Sequence, residues 1–157
     1  MAMSKGRGPT PAGTPFHLQD TVRLSAEGVA KVLGNLEARV MHVVWALARP
    51  ASARDVHERV VTEHAVALHT VITVLNKLVG KGLLHREKRD DLLHYEALVT
   101  EAEFRSQASR RVINGILSLD PEAVTASFVD VVAARDPKRL AALARLIEER
   151  LREQSEP

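Results

Sequence analysis

Between Leu68 and Lys81 the sequence sorts into two helical faces. Leu68, Val71, Ile72, Leu75, Leu78 and Val79 fall within an arc of roughly 120°, and His69, Thr70, Thr73, Asn76, Lys77 and Lys81 occupy the opposite side. The second set has the chemistry of contact with double-stranded DNA. Hydroxyls and amides bond base edges or phosphates, a threonine methyl touches a thymine methyl, and lysines pair with phosphates. A few residues further on, Arg86, Lys88 and Arg89 add cations. The same composition also suits an ordinary solvated helix face, so the elements around it must decide.

Those elements are legible from periodicity and caps. Leu36, Val40, Val43, Val44 and Leu47 recur at helical spacing and predict a first helix ending before Pro50. Ser52 and Asp55 form a capping-box pair that opens a short second helix, to about Val61. The third helix runs from about Leu68 to Lys81, with Gly82 where a C-cap glycine belongs. Residues 83–88 and 92–98 then read as strands around a turn of Arg89, Asp90 and Asp91. Three helices followed by a hairpin is the order of a winged helix, whose third helix enters a major groove with the hairpin beside it.

Beyond the hairpin, Thr100 and Glu103 make another capping box, before a stripe of Phe104, Ala108, Val112 and Ile116. Asp120-Pro121 starts a helix carrying Val124, Phe128, Val131 and Val132, and Asp136-Pro137 starts one carrying Leu140, Leu143, Ala144, Ile147 and Leu151. Three amphipathic helices with little else to bury against imply a second copy as partner. Phe104, Val112, Ile116, Phe128, Val132, Leu140, Leu143, Ile147 and Leu151 are the expected dimerisation residues. The predicted fold class is therefore mainly α with a small β-hairpin (α+β). A flexible Gly- and Pro-rich tail over 1–20 comes first, then an extension over 21–33 with Val22 and Leu24 as a short strand. A winged-helix domain over 34–99 and a three-helix dimerisation region over 100–153 follow.

Composition excludes other classes. The absence of cysteine removes disulfides, thiolate metal sites and cysteine nucleophiles. No apolar run reaches the length of a membrane span or signal peptide core, so a cytoplasmic protein without membrane insertion is expected. No glycine-rich phosphate loop or nucleophile elbow is present, and neither enzyme activity nor a cofactor is expected. A net charge of +2 is too small to announce a nucleic-acid binder. All histidines but His17 lie between His42 and His94, yet their spacing lacks a ligand pair on one helix. His85 and His94 oppose each other only if the turn centres on residues 89 and 90, and no metal site is expected. Trp45 reads as a core residue.

The segment Leu33-Gly34-Asn35-Leu36-Glu37, with Val40-Met41, Val44-Trp45, Thr70-Val71, Thr73-Val74-Leu75, Leu78, Lys81-Gly82-Leu83 and Tyr95, resembles the penicillinase-repressor group of winged-helix regulators that includes BlaI, MecI and CopY. The resemblance covers about residues 30–153. It implies a DNA-binding repressor, with C-terminal helices that dimerise on a palindromic operator. Thr70, Thr73 and Lys77 match groove-facing positions of hydroxyl, hydroxyl and basic character. His69 stands where the family usually has a further hydroxyl, and Asp90-Asp91 where its wings often carry Gly-Arg. Either this acidic tip stays off DNA, leaving Arg86, Lys88 and Arg89 as the cationic contacts, or affinity is lower than in relatives. Several relatives are inactivated when a membrane sensor triggers proteolysis before a phenylalanine. Ser127-Phe128-Val129 occupies the similar place, although the spacing of Phe128 also fits a core residue. The copper-responsive branch relies on a cysteine-rich tail that this chain lacks. Two further readings stay open: a winged helix kept as a protein-interaction module, and a ligand- or metal-responsive regulator.

Overall fold

A computed structural model describes residues 28–31 and 33–156. The expected tail over 1–20 and the strand of Val22 and Leu24 lie outside the described residues. Helix α1 (Asn35–Leu47) starts where the Glu37 carboxylate reaches back to accept the Gly34 N–H at 3.0 Å. At the start of α2 (Ala53–Val60), the Ser52 hydroxyl accepts from the Asp55 N–H and the Asp55 carboxylate from the Ser52 N–H, both at 3.1 Å. These reciprocal bonds satisfy backbone donors that have no partner inside the helix.

Helix α3 (Leu68–Gly80) ends in a Schellman motif. Gly82 adopts φ +78, its N–H donates to Val79 O, and the Leu83 N–H donates to Leu78 O. Leu78 and Leu83 are both fully buried, supplying the apolar contact that accompanies this cap. The chain then enters β2 (Leu84–Arg89) and returns through Asp90 and Asp91 into β3 (Leu92–Ala97). Both aspartates have positive φ, +48 and +63, as a two-residue hairpin turn with right-handed strand twist demands. The two residues Ala51–Ser52 form β1 and pair with Tyr95 and His94, so the sheet order is β1-β3-β2. No pattern in the sequence announced this strand, because two residues are too few for a period.

The described residues divide into two compact units, one ending at Val112 and the other starting at Ile113. The first has the core. Val40, Met41 and Val44 of α1, Val56 of α2, Val71, Leu75 and Leu78 of α3, and Tyr95 of β3 are all buried. Three expectations are corrected within it. The buried side of α3 is rotated, so that Val74 is inside and Ile72 is 36% exposed. Val29, in a 3-10 turn over Gly28–Lys31, and Leu33 belong to this core although they precede residue 34. Phe104 is fully buried against it and Val112 packs on it, so these residues of α4 (Glu101–Leu117) serve the first unit, and Phe104 offers no surface to a second copy.

The second unit contains the end of α4, α5 (Pro121–Arg135) and α6 (Pro137–Ser155). Asp120 caps α5 by accepting from the Glu122 and Ala123 N–H groups, and Asp136 caps α6 by accepting from the Lys138 N–H. Neither α5 nor α6 has a buried residue. Phe128 is 51% exposed, which corrects its reading as a core residue of a single chain. Ile147 and Leu151 are exposed as well, while Ile116, Val132, Leu140 and Leu143 are half-buried. No described helix is long and apolar enough to cross a membrane.

Candidate nucleic-acid interface

The outer face of α3 is made by His69, Ile72, Thr73, Asn76 and Lys77, all exposed, with Thr70 half-buried at its edge. The Thr73 hydroxyl donates to the His69 carbonyl at 3.0 Å, one turn back. With its proton so engaged, Thr73 offers lone pairs to base amino groups and its methyl to thymine. Lys77 has no ion-pair partner among the described residues, and its ammonium is available to a phosphate.

The hairpin lies next to this face. Register places Arg86 opposite Tyr95 and Lys88 opposite Leu93 on one side, and His85 opposite Glu96 and Glu87 opposite His94 on the other. The turn centres on residues 90 and 91, so His85 and His94 do not oppose each other, and no metal-binding cluster exists among the described residues. Arg86 donates to Asn76 Oδ1 at 2.9 Å, and the buried Tyr95 hydroxyl donates to the same oxygen at 3.1 Å. Arg89 pairs with Glu87 at 3.0 Å, and Lys88 lies 3.6 Å from Asp91. These exposed pairs are weak and exchange readily with phosphate.

Lys81 departs from the expected set. Its Nζ donates to both carboxylate oxygens of Glu37, at 3.0 and 2.8 Å, and both side chains are largely buried. The pair ties the end of α3 to the start of α1, and the Lys81 charge is thereby withdrawn from the outer face of α3. Burial alone raises the Glu37 pKa, but hydrogen bonds from Lys81 and the Gly34 N–H, with the Lys81 and Lys77 charges, outweigh it and hold the carboxyl below its ordinary range. Nothing local in the sequence pairs Glu37 with Lys81, which lie 44 positions apart. Tyr95 could be placed on the inward face by strand alternation, but its grip on Asn76 could not.

Trp45 is structural, as expected. Its indole N–H donates to Val99 O at 3.0 Å and its ring lies 5.5 Å from that of Phe104. A groove of about 1160 Å³ runs between α1 and α2 beside residues 28–30 and includes no residue of α3 or the hairpin.

Compared with known proteins, the family profile described as penicillinase repressor matches residues 33–149. The chain belongs to the penicillinase repressor family. Among its relatives, the methicillin resistance regulatory protein MecI of Mammaliicoccus sciuri is 24% identical over 98 residues, covering 62% of this chain and 79% of that one. The transcriptional regulator BlaI of Mycobacterium tuberculosis is 40% identical over 67 residues, covering 43% of this chain and 48% of its own length. A solved structure of a ZitR variant from Lactococcus lactis aligns at a TM-score of 0.35 and 12% identity, covering 85% of this chain and 83% of that one. The penicillinase repressor profile spans both units, and the names of the family and of these two relatives are those of transcriptional regulators, not enzymes.

Proposed function

We propose that this protein is a sequence-specific DNA-binding repressor that acts as a homodimer on a palindromic operator. The observation carrying the reading is the polar surface shared by Thr73, Asn76 and Lys77 of α3 and Arg86 of the hairpin, joined by the bond between Arg86 and Asn76. Helix α3 enters the major groove, with Thr70 and Thr73 toward base edges and Lys77 toward phosphate. His69 lies at the N-terminal end of that contact. Arg86 and Lys88, on the side of the hairpin that meets α3, neutralise further phosphates, while the acidic tip stays away from the backbone. Arg89, on the opposite side of the strand, contributes only long-range attraction.

The second copy supplies what α5 and α6 lack, a surface to bury Phe128, Leu140, Leu143, Ile147 and Leu151. Two copies carry two recognition helices at about one duplex turn, or a whole number of turns, apart. Relief of repression follows from cleavage between Ser127 and Phe128 by a membrane sensor and protease system. That bond lies inside α5, so a protease reaches it only when the helix opens locally.

The test is fluorescence anisotropy with DNA from upstream of its own gene and a scrambled control, across a salt series. Specific binding about a thousandfold tighter than the control is expected. Lys77→Ala is expected to weaken binding roughly tenfold and to reduce the salt slope by about one. Equal weak binding to both duplexes, indifferent to Lys77, would favour a protein-interaction module, a reading to which the acidic hairpin tip lends some support.

A further inference from the structure

The amide of Asn76 sits on the DNA-facing side of α3, where an asparagine commonly reads adenine. That contact needs the side-chain oxygen to accept from adenine N6 while the amide nitrogen donates to N7. Here the oxygen is already taken twice. It accepts from Arg86 Nη1 at 2.9 Å and from the Tyr95 hydroxyl at 3.1 Å, which fills both of its lone pairs. Guanidinium has no acceptor, so Arg86 can meet only the oxygen, and the orientation of the amide is determined by its partners. Tyr95 is buried and anchored in the central strand of the sheet, so it cannot follow a moving amide.

We infer that Asn76 is a positioning residue that aims Arg86 of the hairpin at the DNA backbone and does not itself read a base; the inference rests on the DNA-binding reading above. Buried Tyr95 holds the Asn76 oxygen, and that oxygen holds one nitrogen of Arg86. Arg86 is exposed, and its remaining guanidinium donors are left for a phosphate. Preorganising a long side chain in this way reduces the conformational freedom it loses on binding. Helix and hairpin therefore act as one contact surface.

The experiment is a double-mutant cycle on the full chain, with a duplex selected by the wild-type protein from a random-sequence pool and a scrambled duplex as control. Arg86→Ala is expected to weaken binding about tenfold and to flatten the salt dependence by about one phosphate. Asn76→Ala should cost roughly threefold to tenfold and flatten the slope in the same direction, yet cost less than about twofold when Arg86 is already alanine. Equal losses in both backgrounds, with relaxed preference at one base pair on reselection, would make Asn76 a base reader and overturn the inference. No loss in either background overturns it as well. Should Asn76→Ala fail to fold, Asn76→Gln, which moves the acceptor by one methylene, takes its place in the cycle. If the wild-type protein selects no sequence and binds both duplexes alike, the DNA-binding reading fails and this inference with it, an outcome distinct from additivity in a protein that does discriminate.

Discussion

A carboxylate and an ammonium 44 residues apart in sequence, both largely buried, join the start of α1 to the end of α3. Glu37 and Lys81 are 11% and 22% exposed, and the same carboxylate also caps α1 through the Gly34 N–H. Because its folded-state pKa lies below the ordinary 4.5, Glu37 contributes stability that is complete above that value and disappears as pH falls through the folded pKa. Asp55 works in the same direction, held low chiefly by the Ser52 N–H against an opposing contribution from burial. Acid unfolding should therefore set in below about pH 4.5. Replacing Lys81 by methionine leaves Glu37 without its ammonium and should cost about 2 kcal/mol at pH 7. Denaturant titrations at pH 7 and at successively lower pH check both statements, since the gap between wild type and variant must narrow as Glu37 takes up its proton. A constant gap would mean that the lysine acts through packing alone.

At the level of elements, the hairpin turn is the place where local conformation and charge can be changed together. Asp90 and Asp91 both occupy the left-handed region, which aspartate tolerates and an Asn-Gly pair adopts more readily. Asp90→Asn combined with Asp91→Gly should stabilise the protein by up to about 1 kcal/mol, visible in a thermal melt. It should also tighten DNA binding and leave a steeper salt dependence, because Lys88 loses its Asp91 partner and the long-range repulsion of phosphate falls. Such local devices are also where the sequence was easiest to read. Ser52 with Asp55, Thr100 with Glu103, Asp120-Pro121, Asp136-Pro137 and Gly82 all act within a few residues of themselves, and each marked its helix end correctly. What escaped depends on tertiary packing. The choice between Ile72 and Val74 depends on how α3 is rolled against α1 and α2, and the burial of Phe104 depends on Trp45. The candidate site was legible in the residue types of α3, but the engagement of Lys81 by Glu37 and of Asn76 by Arg86 was not, since those partners come from other elements.

For the whole molecule, the contrast between the two units is what motivates the proposed assembly. One has a core running from Val29 to Ala108, while α5 and α6 have no buried residue of their own. A chain ending at Ser127 loses α6 and the end of α5 but none of that core. It is expected to remain folded, to sediment as a monomer, and to bind an operator at least about a hundredfold more weakly, because each half-site is then bound alone. A dimeric truncated chain with full affinity would remove both the assembly and the cleavage proposals. Trp45, the one tryptophan of the chain, offers an optical handle on the difference. Its indole N–H is held by Val99 and its ring by Phe104, all on the first unit. Its emission therefore registers whether the start of α4 is seated on α1. A signal that stays constant on dilution and shifts to the red in denaturant would separate loss of a partner from loss of the fold, with no label attached.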